Sequence, residues 1–179
     1  APKFGNDDDY VDGLVVSLTN RFFDQVEKGR NPRGGGMMPA LYSVTAHVGA
    51  GKQVGATPDG RNAGTPLSDG LSPTYGRDLK GPTAALRSVV KVDLVRAPNG
   101  VIVNQRLAPG LLATEEGRMK MSQLLRGFVE AGGFHWQFNV VSNEALLEAQ
   151  AHPEQYRDLV VRVAGYSAFF VDLSRAAQD

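Results

Sequence analysis

Residues 162–168 read Arg162-Val163-Ala164-Gly165-Tyr166-Ser167-Ala168, and they follow the apolar, valine-rich run Leu159-Val160-Val161. Residues 159–163 suit a strand that runs into Ala164-Gly165-Tyr166. A lone glycine between a strand and further apolar residues means a tight turn or a backbone position with positive φ. Physics alone goes no further than a turn at Gly165.

Working outward, residues 172–179 are helix-like and stop without a cap or breaker, and the first residue is Ala1. Both ends are expected to be cut. Upstream of the turn, Asn143 is expected to cap a helix through Gln150, and Pro153 opens a second turn. Residues 134–141 read as a strand. Before it, Thr114 caps a helix over 115–131 that carries Met119, Met121, Leu124, Leu125, Phe128 and Val129 largely on one side and ends at Gly132-Gly133. Residues 100–107 read as a strand, and Pro82 suits the first position of a short helix. Eight glycines and three prolines in residues 49–81 predict a long loop in which neither helix nor strand persists. Ahead of it, Leu41, Tyr42, Val44, Thr45 and Val48 predict a buried strand over 40–48, and helical spacing of Tyr10, Val11, Leu14, Val15, Leu18, Phe22 and Val26 predicts an amphipathic helix over 8–29. Alternating helices and strands indicate an α/β arrangement.

At 179 residues and 42% hydrophobic content the chain can bury a substantial core. Nineteen basic against nineteen acidic residues leave zero formal charge, so no global field draws nucleic acid or an anionic membrane. No stretch approaches the roughly 20 apolar residues of a membrane helix, and residues 1–12 are too acidic for a signal peptide, so the expected location is cytoplasmic, with no nucleic acid and no membrane as partner. The absence of cysteine rules out a disulfide, a thiolate nucleophile and a Cys-ligated cluster within these residues.

Three motifs read as structural. Gly49-Ala-Gly-Lys52 lacks the earlier glycine of a phosphate loop, and Gln53 stands where Ser or Thr is needed. His47, His135 and His152 have no metal-ligand spacing, and no metal site is expected. Asp7-Asp8-Asp9 lies just ahead of a helix, where acidic residues complement the dipole.

The segment 162–168 as a whole resembles the signature of glycyl radical enzymes, the pyruvate formate-lyase and glycerol/diol dehydratase group. Supporting segments run in family order: Gly55-Ala-Thr-Pro-Asp-Gly-Arg61, Pro66-Leu-Ser-Asp-Gly70, Gly81-Pro-Thr-Ala84, Gln137-Phe-Asn-Val140 and His152-Pro-Glu-Gln-Tyr-Arg-Asp158. The resemblance covers essentially the full chain. The Ala-Gly-Tyr-Ser form and the Tyr156-Arg-Asp-Leu-Val-Val161 lead-in look more like the dehydratase and lyase branch.

The resemblance implies an α/β fold, the C-terminal part of a glycyl radical enzyme α/β barrel, with residues 1–50 ending the barrel and residues 51–179 forming the glycine radical domain. It implies that Gly165 stores a glycyl radical. Only glycine lets the α-carbon flatten and share spin with its amide neighbours, since any Cβ would crowd the planar centre. A separate radical-SAM activating enzyme, holding S-adenosylmethionine and an iron–sulfur cluster, would abstract the hydrogen atom. The radical would pass to a cysteine outside this sequence, whose thiyl attacks a small polar substrate, with diol dehydration favoured. Val163, Phe169, Phe170 and Val171 would shield the radical, a duty that core packing serves equally. Reach by the activase implies that the region swings out on glycine-rich linkers such as 49–81.

Residues 41–48 resemble a barrel strand of the dehydratase branch, which implies a substrate-facing position for Tyr42, with Thr45 and Ser43 as further substrate candidates, although strand alternation sets Ser43 and Thr45 opposite Tyr42 and Val44. A core tyrosine explains Tyr42 as well. The partner is either the remainder of a catalytic chain or a separate cysteine-bearing subunit onto which a radical-bearing spare part docks; an inactive structural module is the third reading, and a homodimer is compatible with each.

Overall fold

Asp8 accepts hydrogen bonds from the N–H groups of Tyr10 and Val11 (3.1 and 3.4 Å) and so caps helix α1, Asp9–Lys28, satisfying donors that a helix start leaves orphaned. The computed structural model describes residues 1–178. Asp9 and Asp12 in the first turn and Lys28 in the last complement the helix dipole. The expected helix is observed, but its apolar residues divide. Phe23 is fully buried in the core, with Val15 and Val16 packed against it. Tyr10, Leu14, Leu18 and Phe22, spaced every four residues, face outward, Tyr10 with 72% of its surface exposed.

Polar side chains take part of the inner face. Asp12 is fully buried, and its Oδ2 accepts from Ser88 Oγ at 3.0 Å and Lys91 Nζ at 2.7 Å. Lys91 also reaches Asp7 and Asp9 at 2.9 and 2.8 Å. The acidic run is therefore consumed by a cap and an ion cluster. The hydrogen bond from Lys91, reinforced by the charges of Lys91 and Arg87, holds the Asp7 carboxyl below its ordinary value, and a hydrogen bond from Arg96 does the same for Glu27. Because these values are lower in the folded chain, their stabilisation is complete above the ordinary carboxylate value and disappears as pH falls through the folded one. Urea midpoints should thus be flat from pH 7 to 5 and drop below about pH 4; a midpoint that holds or rises on acidification would contradict this.

Residues 40–48 do not form the expected strand. Leu41 makes a single parallel bridge with Val101, its N–H donating to Gly100 C=O (2.8 Å) and its C=O accepting from Ile102 N–H (3.0 Å). The chain then turns at Val44, whose φ is +54°, a conformation costly for a β-branched residue. Helix α2, Ala46–Gln53, begins at once with Thr45 as its N-cap. Gly49-Ala-Gly-Lys52 lies inside this helix and forms no phosphate loop, and the expected loop shortens at its start.

Residues 54–80 are irregular, yet one point is sharply placed. At Gly70 φ is +56°, and a Cβ would lie 2.7 Å from Ile102 O and 2.8 Å from Leu41 O, so only glycine lets this backbone approach. Leu71 N–H then donates to Ile102 C=O (2.9 Å), which sets Asp69 beside the start of the next strand.

Helix α3, Gly81–Val90, has Pro82 in its first turn as expected. Strand β1, Asn104–Leu107, pairs in parallel with β2, Gln137–Val140, and α4, Glu115–Glu130, is the crossover between them. Thr114 caps α4 through Gly117 N–H (3.1 Å), as its sequence indicates. The main core gathers Phe23, Leu86, Val89, Val101, Val103 and Phe128 from α1, α3, α4 and the approach to β1.

Ser142 rather than Asn143 caps α5, Asn143–Ala151, accepting from Ala145 N–H at 3.1 Å. The expected strand at 159–163 appears as β3, Val160–Arg162, and it folds back on an unforeseen partner, β4, Ser167–Phe169. A second, separate cluster of Ala149, Val161 and Phe170 ties this hairpin to α5. A short helix α6, Arg175–Gln178, ends the described chain; Asp179, in the helix expected over 172–179, lies outside the described residues.

Candidate functional site

Gly165 sits at the tip of the β3–β4 hairpin with φ +79°, the positive value its sequence context suggested. Val163 N–H donates to Tyr166 C=O (2.8 Å) and closes the turn. The glycine is exposed, and nothing lies within 4 Å of where a Cβ would project. The expected apolar shield is not assembled here: Phe170 is buried on the α5 side, Phe169 is 46% exposed, and Val163 and Val171 are only partly covered. Phe170 fills a core instead, because the hairpin turns that face toward α5.

What touches the turn is polar. The register of β1 and β2 sets Asn104 opposite Gln137, so their carboxamides meet. Gln137 Oε1 accepts from Gly165 N–H (3.1 Å), while Gln137 Nε2 donates to Val163 C=O (3.1 Å) and to Asn104 Oδ1. Asn104 Nδ2 also donates to Val163 C=O (3.1 Å) and to Asp69 Oδ2. Two residues along β2, on the same face, Asn139 exchanges two hydrogen bonds with Arg162: Nδ2 to Arg162 C=O at 2.8 Å, and Arg162 N–H to Oδ1 at 2.7 Å.

The network continues inward. Asp69 Oδ1 accepts from Ser43 Oγ (2.6 Å), which lies 3.0 Å from His47 Nδ1, and His47 Nε2 stands 3.2 Å from the Tyr75 hydroxyl. An unbroken line of polar contacts therefore joins the glycine turn to the segment 43–47. His135 plays a different part: Val103 N–H donates to its Nδ1 (3.2 Å), an acceptor role that suits the tautomer with the proton on Nε2, and burial, then the charge of Arg162, lowers its pKa.

Of the substrate candidates, Ser43 joins this network. Tyr42 is 43% exposed with its ring beside Gly100, and Thr45 is exposed at the start of α2, where its side chain makes no capping bond. The strand alternation that separated these residues does not apply, since the backbone turns at Val44. Gln137, Asn139 and Asp69 fall within segments already quoted for the family resemblance, but the sequence carried no sign of what they bind; Asn104 had no signal beyond being polar in a strand. A cavity of about 600 Å³ lies between α3 and α4 among Leu86, Val90, Leu124 and Phe128 and includes none of these residues. Among the described residues no group of three His, Asp or Glu side chains could hold a metal ion, and no helix is long and apolar enough to cross a membrane.

Comparison with known proteins adds three findings. Residues 67–171 match the family described as "Glycine radical", and residues 1–51 match "Pyruvate formate lyase-like". The chain is 49% identical to a probable dehydratase of Escherichia coli (strain K12), YbiW, over all of its own length and 23% of that protein. Among solved structures it resembles the glycerol-bound form of the B12-independent glycerol dehydratase from Clostridium butyricum (49% identity, TM-score 0.96, 99% of this chain and 23% of that one). It also resembles a glycyl radical enzyme from Archaeoglobus fulgidus (40% identity, TM-score 0.94, 99% and 23%). The chain spans less than a quarter of the length of these relatives. The α/β fold expected from the sequence is that of part of a glycyl radical enzyme.

Proposed function

We propose that this chain, which belongs to the glycyl radical enzyme family, stores an organic radical on Gly165 for a dehydratase acting on a small polar molecule, a diol being favoured. The observation that carries the reading is the state of that glycine: φ is +79°, a conformation that favours glycine, and its N–H is held by a side-chain carboxamide. A glycyl α-carbon flattens and shares spin with its two amides only if no side chain opposes it. The dehydratase assignment is supported by similarity to a probable dehydratase and to a glycerol dehydratase.

In this reading a separate radical-SAM enzyme, with S-adenosylmethionine and an iron–sulfur cluster, removes one hydrogen atom from Gly165. The resulting radical takes a hydrogen atom from a cysteine thiol, restoring the glycine and leaving a thiyl to act on substrate. That cysteine lies outside this sequence, which has none, and the more than fourfold greater length of the relatives supports placing it in the remainder of a longer catalytic chain. Residues 1–50 end the barrel and residues 51–179 form the radical domain. The outward stripe of Tyr10, Leu14, Leu18 and Phe22 would be covered by the remainder of that chain, since a contiguous apolar face is costly in water. Tyr42 and Thr45 contact the substrate, the enzyme is cytoplasmic, and a homodimer is compatible with this assembly.

The test is electron paramagnetic resonance of the full-length protein after anaerobic treatment with its activating enzyme and S-adenosylmethionine. A doublet that collapses when the protein is grown on α-deuterated glycine is expected, because the splitting comes from the one remaining α-hydrogen. A signal that survives Gly165→Ala would overturn the reading.

A further inference from the structure

We infer that Gln137, Asn139 and Asn104 are positioning residues that form a releasable latch, holding the Gly165 hairpin against the β1–β2 sheet through side-chain carboxamides instead of a continuous backbone ladder. The inference rests on the radical role proposed for Gly165 only for its purpose; the latch itself rests on geometry.

A strand that joins a sheet exchanges main-chain hydrogen bonds with its neighbour. Strand β3 has main-chain partners in β4, on the other side of the hairpin, whereas β2 holds it with side chains. Gln137 bonds the C=O of residue 163 and the N–H of residue 165, the pair of groups that one residue of a neighbouring parallel strand would bond. Asn139 bonds both main-chain groups of Arg162, as a residue of an antiparallel neighbour would. Asn104 adds a second donor to Val163 C=O and is itself braced by Asp69. Five hydrogen bonds thus dock the hairpin, each with a side-chain amide at one end.

The apolar packing is divided in the same way. Val161 and Phe170 pack with Ala149 of α5 in a cluster separate from the main core of Phe23, Val89 and Val103. Lifting the hairpin together with α5 would keep its ladder and its small core intact, and side-chain amides can rotate to water as they let go. A radical glycine must be presented to an activating enzyme and then returned to one position, and a latch of this kind permits both.

The experiment uses the full-length protein with Gln137→Ala and Gln137→Met, the second preserving volume while removing all three hydrogen bonds of the carboxamide, two of them to the hairpin. Hydrogen–deuterium exchange is read at the Gly165 and Arg162 amides, and the initial rate of glycyl signal growth is read under limiting activating enzyme. Losing the two hydrogen bonds to the hairpin, each of ordinary net strength, should raise exchange at Gly165 about thirtyfold in both variants, leave α4 unchanged and speed radical formation. Turnover per radical should fall, because the glycine returns less often to its docked position. A role in packing alone would let Gln137→Met behave as wild type, and that result, or unchanged exchange in both variants, overturns the latch. Asn139→Ala gives an independent reading through the Arg162 amide. Should wild-type protein form no radical, the exchange data still decide the latch, while a radical with unchanged exchange removes the latch and leaves the role of Gly165 standing.

Discussion

Gly165→Ala is expected to fold, to lose a little stability and to form no radical at all. The structure separates the two effects. Nothing lies within 4 Å of the new Cβ, so no clash arises, and the cost is that of placing an L-residue at φ +79°, about 1–2 kcal/mol. The chemical effect is of another order. A methyl group at the α-carbon opposes the planar centre in which spin is shared between the two flanking amides, and abstraction there should leave no paramagnetic signal above background. Urea denaturation, circular dichroism and electron paramagnetic resonance on one preparation would separate these effects. A native spectrum with no signal is the expected pair. An unfolded protein would mean that the turn, rather than the chemistry, requires glycine.

Lys91→Ala should be the most destabilising change on the exposed side of the α1–α3 contact. Lys91 is the cation that Asp7, Asp9 and Asp12 share. Asp12 is fully buried, its Oδ1 has no hydrogen-bond partner, and without Lys91 its Oδ2 keeps only Ser88 Oγ. Removing the cation leaves a buried carboxyl without its partner, and because Lys91 is itself partly exposed the cost lies below the ~3–5 kcal/mol of a fully buried pair, still a large part of the roughly 5–15 kcal/mol that holds a domain together. The surface pairs of Asp7 and Asp9 add little, since water screens them. Adding Asp12→Asn to Lys91→Ala should restore much of the loss in a urea melt, because the neutral amide no longer needs a cation. A single Lys91→Ala variant within about 1 kcal/mol of wild type would show that water reaches Asp12.

Local signals carry where neighbouring residues decide the outcome, although the cap of α5 is Ser142, one residue before the expected Asn143. Thr114 and Pro82 start helices as their sequence indicates, because caps and a fixed proline φ act within one turn. The apolar, valine-rich run ahead of Gly165 became β3. The same kind of run misled at 40–48. Leu41 pairs with Val101 for one bridge, and then Gly70, whose Cβ position would be 2.8 Å from Leu41 O, brings Asp69 alongside; the chain turns at Val44 so that Ser43 and His47 line up with Asp69. A helix follows despite two glycines and Val48, which favour other states, and Asp69, which meets Ser43 just ahead of it, comes from far along the sequence. Strand β4 was missed because three residues, Ser167 to Phe169, carry no pattern until β3 lies beside them.

The sequence by itself determined the position of a turn that only glycine makes freely, the family to which its motifs belong, and the absence of any thiol here to receive a radical. Those are properties of single residues and their immediate neighbours. Tertiary structure alone decided what holds that turn. Gln137 lies 28 residues from Gly165, and Asn104 lies 59 residues from Val163. They meet because the parallel register of β1 and β2 sets Asn104 opposite Gln137, and a carboxamide on a strand gives no indication of its partner until the backbone has brought the donor and acceptor within about 3 Å.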